Sequence, residues 1–584
     1  MLSIRGMGVL GVVLVFAPAC AAAPLAGESE VEDTEAADTD GAGGENTESS
    51  VDTEDSAIPD TDSDTAWDTD IAGDTDVEDT DIPWDTDFPW DTDQEDTDLT
   101  WETDPPEDTD LPVDTDVPWD TDAVVDSGDT DDTDPPGVTG PLLAFPGAEG
   151  FGAQTTGGRG GSVCRVTNGN ASGSGSLQAC VDAPGARVIV FRYSGVIQGP
   201  IEIHHGDLTI AGQTSPDGVV VNGGLICDNV YDPNTCNNVI LRHLRFRRGN
   251  PDSVRIGGAS DIILDHVSMA NADDENLEIS RSSNVTIQNS IIAEPIGAHY
   301  QWGGVLMNYS THAMPLDNIS LHHNLWNGVF GRLPEITCEE NNDAPGSNCS
   351  GHTLHLELTS NLMWDVSDPI WYNRCTGTND GNYCPVSSDN FFVDLNWREN
   401  WMVRRSSIDA DMIENAIDDP AQNDVYYANN RLQQGSNTST YALGTSSIGS
   451  PHAYPPISVT PVATLTTYMQ NQVGAFPRDT MDDRLLGYLS LPIDSKPAAW
   501  SGGNGVNFGD ALALGNGSHP APPTDTDADG MPDSWETLHG LNPASAGAAA
   551  TGLSANANNG IDGCWPGYTD LECYINELAD SLQP

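Results

Sequence analysis

The stretches N-N-V-I-L-R-H-L-R-F (237–246), S-D-I-I-L-D-H-V-S-M (260–269), S-N-V-T-I-Q-N-S-I-I (283–292) and D-N-I-S-L-H-H-N-L-W (317–326) read as four copies of one short strand. Val239, Ile262 and Val285 are spaced by 23 residues, and Ile319 follows after 34. A second strand type lies between the copies, V-R-I at Val254 and L-E-I at Leu277. Two to three strands in a unit of this length match one coil of a stacked solenoid. A sandwich would instead give turn signals roughly every 8–12 residues without a coil period. The body is therefore read as an all-β parallel β-helix. The longer gap before Ile319 implies a loop inserted on one face. Asn289, Asn324 and Asn361 recur at similar places and are expected to form an internal amide ladder.

Outward from this body the composition changes. The chain has 584 residues, 20 Lys and Arg against 91 Asp and Glu, and a formal net charge of -71. Residues 28–134 hold 43 of the acids, and no Lys or Arg occurs from Gly6 to Gly158. Such a balance excludes electrostatic nucleic-acid binding, which needs clustered cations, and disfavours anionic membranes. Residues 20–140 repeat D-T-D with too little apolar content to offset ordering entropy. They are expected to be a disordered spacer; weak calcium storage is the alternative. Before them, Arg5, the apolar run Met7–Phe16 and Ala17-Pro18-Ala19 read as a signal peptide over residues 1–19. No later apolar run is long enough to span a bilayer. Cys20 follows the cleavage site, so the mature chain is either free or lipid-anchored. The other ten cysteines fall as near neighbours, Cys164/Cys180, Cys227/Cys236, Cys338/Cys349, Cys375/Cys384 and Cys564/Cys573. That spacing suits local disulfides in an exported protein. Residues 141–500 are expected to form the β-helix and 501–584 a C-terminal segment, in a secreted monomer.

Several motifs carry a family resemblance. They are A-F-P-G-A-E-G-F-G-A from Ala144, T-G-G-R-G-G from Thr156, L-D-H-V-S from Leu264, D-E-N-L-E-I from Asp274, S-N-V-T-I-Q from Ser283, H-H-N from His322 and R-L-P from Arg332. In this order they resemble secreted pectate lyases of polysaccharide lyase family 1, over roughly residues 144–500. The resemblance implies a right-handed, single-stranded parallel β-helix. It further implies calcium-dependent cleavage of (1→4)-α-D-galacturonan by β-elimination, leaving a 4,5-unsaturated uronate.

Calcium takes several hard oxygen ligands. Asp274 and Glu278 are four apart, which in an extended strand places them on one side, and Asp252 lies about one coil earlier. The resemblance puts the ion at these three residues, with Asn250 at a position the family often fills with a further Asp. It makes Arg332 the group that takes the C5 proton. An arginine has a pKa above about 12, so an alkaline optimum follows. Two departures weaken the expected grip on substrate. Thr337 stands where a second Arg is common, and the chain's single lysine, Lys496, is far from the position of the usual clamping Lys. His299 and Arg281 are the candidate replacements. His322 and His323, adjacent on one strand, are expected to face opposite sides, and Asp265 to brace the fold.

Near the C-terminus, D-T-D-A-D-G-M-P-D-S-W-E (525–536) follows the twelve-residue EF-hand-type loop. Oxygens come from Asp525, Asp527, Asp529, the Met531 carbonyl, Asp533 and Glu536, with Gly530 at the sharp turn. The ion there is expected to hold a small helical tail. Two competing readings remain, a polygalacturonan hydrolase of the same fold and a non-catalytic β-helical carbohydrate binder.

Overall fold

The computed structural model describes residues 141–230, 235–297, 303–311, 313–337, 351–367, 371–373, 391–407, 423–440, 447–501, 504–514, 518–556 and 558–584. The signal peptide, the acidic linker, Cys20, His299 and the cysteines at 338, 349, 375 and 384 lie outside them.

Three long sheets of almost wholly parallel strands form the body. Each coil contributes one strand to each sheet in turn, so the body is a parallel β-helix. One coil runs Val239–Arg242, Arg245–Arg247, Val254–Gly257, and the next runs Ser260–Asp265, Ser268–Ala270, Leu277–Ser280. Stacking is in register. Val239 pairs with Ile262, Ile262 with Val285, Val285 with Ile319 and Ile319 with Leu356. The predicted 23, 23 and 34 residue steps are thus single coil steps. Inward positions such as Val239, Leu241, Ile262, Leu264, Val285 and Ile287 are buried in one continuous core. Branched side chains suit this pleated, stacked surface. A short helix, Leu177–Val181, plugs the first coil with Leu177, Cys180 and Val181.

The corner between the first and second sheets is one left-handed residue per coil: His243, His266, Asn289, His323, Ser360, Glu399 and Asn429, with φ between 49° and 56°. The residue after each corner points inward, and from Asn324 on it is an asparagine. Asn324, Asn361, Asn400 and Asn430 form a ladder, each Nδ2 donating to the next Oδ1 at 3.2, 3.0 and 3.0 Å. Asn289 is not a rung, contrary to expectation. It occupies the corner itself, and Ser290 takes the inward place, its N–H donating to Asn324 Oδ1 at 2.9 Å. The same corner changes the reading of the histidine pair. The left-handed turn swings His323 back, so His322 and His323 share one buried polar pocket, Nδ1 to Nδ1 3.0 Å. Asp265 braces this region, as expected, accepting from Arg242 Nε and Gln288 Nε2, each at 2.9 Å.

The segment around Gly150 and Gly152 crosses the outside of the first sheet. Phe151 N–H donates to Ser320 Oγ at 3.1 Å and Gly152 N–H to Thr286 Oγ1 at 2.8 Å. A Cβ on Gly152 would lie 2.4 Å from Ile262 O, so only glycine fits. Helices Leu465–Gln472 and Thr480–Gly487 cover the second sheet. Asp482 anchors them, taking Arg245 Nε at 3.1 Å, Arg247 Nη2 at 2.8 Å and Ser268 Oγ at 3.0 Å in full burial. Disulfides join Cys164–Cys180, Cys227–Cys236 and Cys564–Cys573. Among the described residues no helix is long and apolar enough to cross a membrane.

Burial holds the His243 and His322 imidazoles well below their usual range, and lowers His323 to about 4. Between the ordinary value near 6.5 and these depressed values the unfolded chain binds protons that the folded chain refuses. Stability present above pH 6.5 is therefore lost as pH falls, by up to about 1.4 kcal/mol per pH unit for each histidine. Urea midpoints measured from pH 7 to 4.5 should fall, and His323→Asn should flatten the slope.

Candidate functional site

The third sheet carries a row of outward side chains. Arg255 in Val254–Gly257 pairs in register with Glu278 in Leu277–Ser280, and Glu278 with Leu306 in Val305–Asn308, which in turn pairs with Glu335. The turn entering this sheet holds the acids. Asp252 lies one coil below Glu275, whose N–H donates to Asp252 Oδ1 at 3.1 Å. Asp252, Asp274 and Glu275 each offer an oxygen within 4.8 Å of the others. With calcium–oxygen distances of about 2.3–2.6 Å, oxygens this close can share one ion.

Here the expected ligand set changes. Asp274 precedes the strand that begins at Leu277, so the alternation that was to align it with Glu278 does not apply. Glu275 fills the third place in the cluster. Glu278 is near enough for its charge to act on Asp252, and it takes the Ser280 hydroxyl. Arg255 lies between Glu278 Oε2 at 3.6 Å and Asp228 Oδ2 at 3.1 Å. Neither Glu275 nor Arg255 was singled out from sequence. The signal was present, since Glu275 follows Asp252, and Glu278 follows Arg255, by the 23-residue coil step.

Arg332 comes to the same cluster. It sits at a left-handed corner, φ 56°, directly before Glu335–Thr337. The Val305 N–H donates to its carbonyl at 2.7 Å, and a Cβ on Gly304 would lie 2.1 Å from that oxygen. Its guanidinium pairs with Glu275, with Glu335 Oε2 at 2.7 Å and with Asp274 Oδ1 at 3.9 Å. Asp252, Glu275, Glu278 and Glu335 are all buried. Burial first, then the Glu278 charge, pushes the Asp252 carboxyl up to about 8, with Arg255 opposing. A buried carboxylate so disfavoured as an anion is what a divalent cation would stabilise, and the all-oxygen donor set suits calcium.

The remaining candidates fare differently. Asn250 is exposed on the turn two residues before Asp252. Thr337 is fully buried. Arg281 is buried at the corner after Ser280, its guanidinium 4.6 Å over the Tyr309 ring. A buried threonine and a stacked, buried arginine do not present themselves to a polymer in the groove.

No protein-family model matches the chain. Curated relatives do. One from Neosartorya fischeri, named "Probable pectate lyase C", is 30% identical over 456 residues, spanning 75% of this chain and 94% of that protein. One of the same name from Emericella nidulans is 31% identical over 455 residues, spanning 75% and 93%. A solved structure of a thermostable pectate lyase, PL 47, aligns over 58% of this chain and 99% of its own at 15% identity and TM-score 0.38. The fold and the relatives define a β-helical lyase. The chain belongs to the pectate lyase family.

Replacing Asp252 by Asn removes a buried like-charge contact. In chelator the Asp252→Asn variant should melt a few degrees above the parent, because it no longer carries that repulsion. It should also bind calcium at this site more weakly than the parent, which isothermal titration calorimetry would show as the loss of one binding event.

Proposed function

We propose that this protein is an exported, calcium-dependent pectate lyase that cleaves (1→4)-α-D-galacturonan by β-elimination. The observation that carries this reading is the convergence of Arg332 with the Asp252–Asp274–Glu275 carboxylates, in a chain 30% identical to pectate lyases across three quarters of its length. Asp252, Asp274 and Glu275 would hold the ion, with Glu278 beside them. A bound divalent cation supplies positive charge to the uronate carboxylate and so acidifies the adjacent C5–H. Arg332, as the neutral guanidine left when a guanidinium proton has gone to solvent, accepts the C5 proton, the C5 electron pair forms the C4–C5 double bond, and the C4–O bond breaks. The departing oligosaccharide takes a proton from solvent. The product ends are a 4,5-unsaturated uronate and a new reducing end.

Arg332 has a second part in this scheme. Its guanidinium pairs with oxygens of Asp274 and Glu275, the same groups that would ligate the cation. It cannot serve both at once. Filling the carboxylate site leaves the guanidinium free to turn toward substrate, which couples the base to the metal.

Two measurements test the reading. On polygalacturonate the protein should generate the ultraviolet absorbance of the unsaturated product, and EDTA should abolish it. New reducing ends without that absorbance would instead establish a hydrolase, and binding without either product a carbohydrate binder. Arg332→Ala should lose about 100- to 10,000-fold in kcat, the usual worth of a proton-transfer group. In isothermal titration Arg332→Gln should bind calcium more tightly than the parent, since a competing cation is gone. Unchanged or weaker binding would refute the coupling.

A further inference from the structure

We propose that the loop Asp525–Glu536 is a second divalent-cation site, separate from the lyase site, and that the ion there clasps the C-terminal segment onto the first coils of the β-helix. The inference begins with the loop itself. Asp525, Asp527 and Asp529 each offer an oxygen within 4.8 Å of the others. Ala528 and Gly530 take left-handed conformations, φ 71° and 95°, which turn the chain tightly around the acids. Part of the donor set is already committed. Asp529 accepts from Met531 N–H at 3.0 Å and Gly547 N–H at 2.8 Å, and Asp525 accepts from Ala528 N–H at 2.8 Å. Asp533 is turned to Thr526, whose N–H and hydroxyl both lie at 2.7 Å, so it braces the loop.

What points to a ligand is the rest. Glu536, at the twelfth position, is 1% exposed, and its Oε2 has no hydrogen-bond partner. Both carboxylate oxygens of Asp527 are likewise buried without one. Buried, unpaired carboxylates are costly. Glu536 lies in the short helix Asp533–Leu538 that closes the loop, enclosed by protein rather than by solvent. An ion among these carboxylates would supply the missing partner.

The position of the loop says what the ion does. A Cβ on Gly530 would lie 3.1 Å from Val163 and 3.5 Å from Val190, on the first two strands of the body. Met531, Leu571, Tyr574 and Ile575 bury against Val188, Val190 and Ala211. Arg165 reaches Asp525 Oδ2 at 3.5 Å, and Arg159 Nε reaches Glu572 Oε1 at 2.7 Å. The C-terminal helix, Asp570–Leu582, thus lies over the first coils, with the acidic loop at its edge. Without a cation, the mutual repulsion of Asp525, Asp527, Asp529 and Glu536 works against that closure.

The test uses the full chain in three forms: parent, Glu536→Gln and Asp527→Asn. Terbium, excited through Trp535 within the loop, reports occupancy, and equilibrium calcium binding reports stoichiometry. Both variants should bind one calcium fewer than the parent, lose the Trp-sensitised terbium signal, and keep lyase turnover at saturating calcium and 25 °C. Hydrogen exchange should show that calcium protects 525–536, Asp570–Leu582, Ser162–Val166 and Arg187–Phe191 in the parent and not in the variants. Equal stoichiometry in parent and variants, or exchange in 525–536 indifferent to calcium, would overturn the proposal. The same experiments on Arg332→Ala separate this site from the catalytic reading, because that variant should lack turnover and keep the clasp. Should Glu536→Gln fail to fold, Asp527→Asn carries the same test.

Discussion

In-register parallel stacking is the constraint from which the rest follows. Once Val239, Ile262 and Val285 must lie directly over one another, every side chain acquires a spatial neighbour 23 residues away. Asp252 meets Glu275, Arg255 meets Glu278, and Arg242 meets Asp265 through this rule. Side chains from different coils are thereby placed within bonding distance by the backbone ladder alone. The carboxylate cluster is a consequence. Its members sit in the turns entering the third sheet, and stacking lays one such turn directly over the next.

Coil period, strand type and the longer step before Ile319 were legible because a stacked solenoid writes its geometry into the sequence as a fixed spacing. The errors came where one residue changes direction. Asn289 resembles Asn324 and Asn361 by composition, yet it is the left-handed corner and Ser290 is the rung. His322 and His323 fail as a strand pair for the same reason. The Asp274–Glu278 argument assumed a strand that begins only at Leu277. In the last two cases alternation was carried beyond a strand's limits, by one residue at His323 and by three at Asp274. Applying the coil step in its place leads from Asp252 to Glu275 without reference to strand boundaries. Arg332 was legible only through resemblance, because R-L-P has no period. Its presentation depends on a left-handed corner and on Gly304, both properties of the folded backbone.

The two acidic clusters differ in how their carboxylates are paired, which suits the different tasks proposed for them. At the third sheet, Asp274 and Glu275 already have a cation, the Arg332 guanidinium, which an incoming ion would have to displace. At the C-terminal loop Arg165 reaches only Asp525 at the rim, while the Asp527 oxygens and Glu536 Oε2 are buried without a partner. A catalytic ion must leave room for substrate and compete with a reactive group. A fastening ion needs neither and is best enclosed. The difference in residual pairing fits the difference in task.

Where the fastening falls also follows from solenoid physics. Each coil is stabilised chiefly by its two neighbours, so the end coils, with one neighbour, are the weakest part. The strand Ser162–Val166 is such an end, an edge with a free side. Here the helix Leu177–Val181 plugs the core, the Cys164–Cys180 disulfide ties the plug to the strand, and the C-terminal segment covers the outer face. A chain that returns its last residues to its first coil gives that coil the neighbour it lacks. If the return depends on a divalent cation, as proposed, the weakest coil would be strengthened wherever that cation is plentiful.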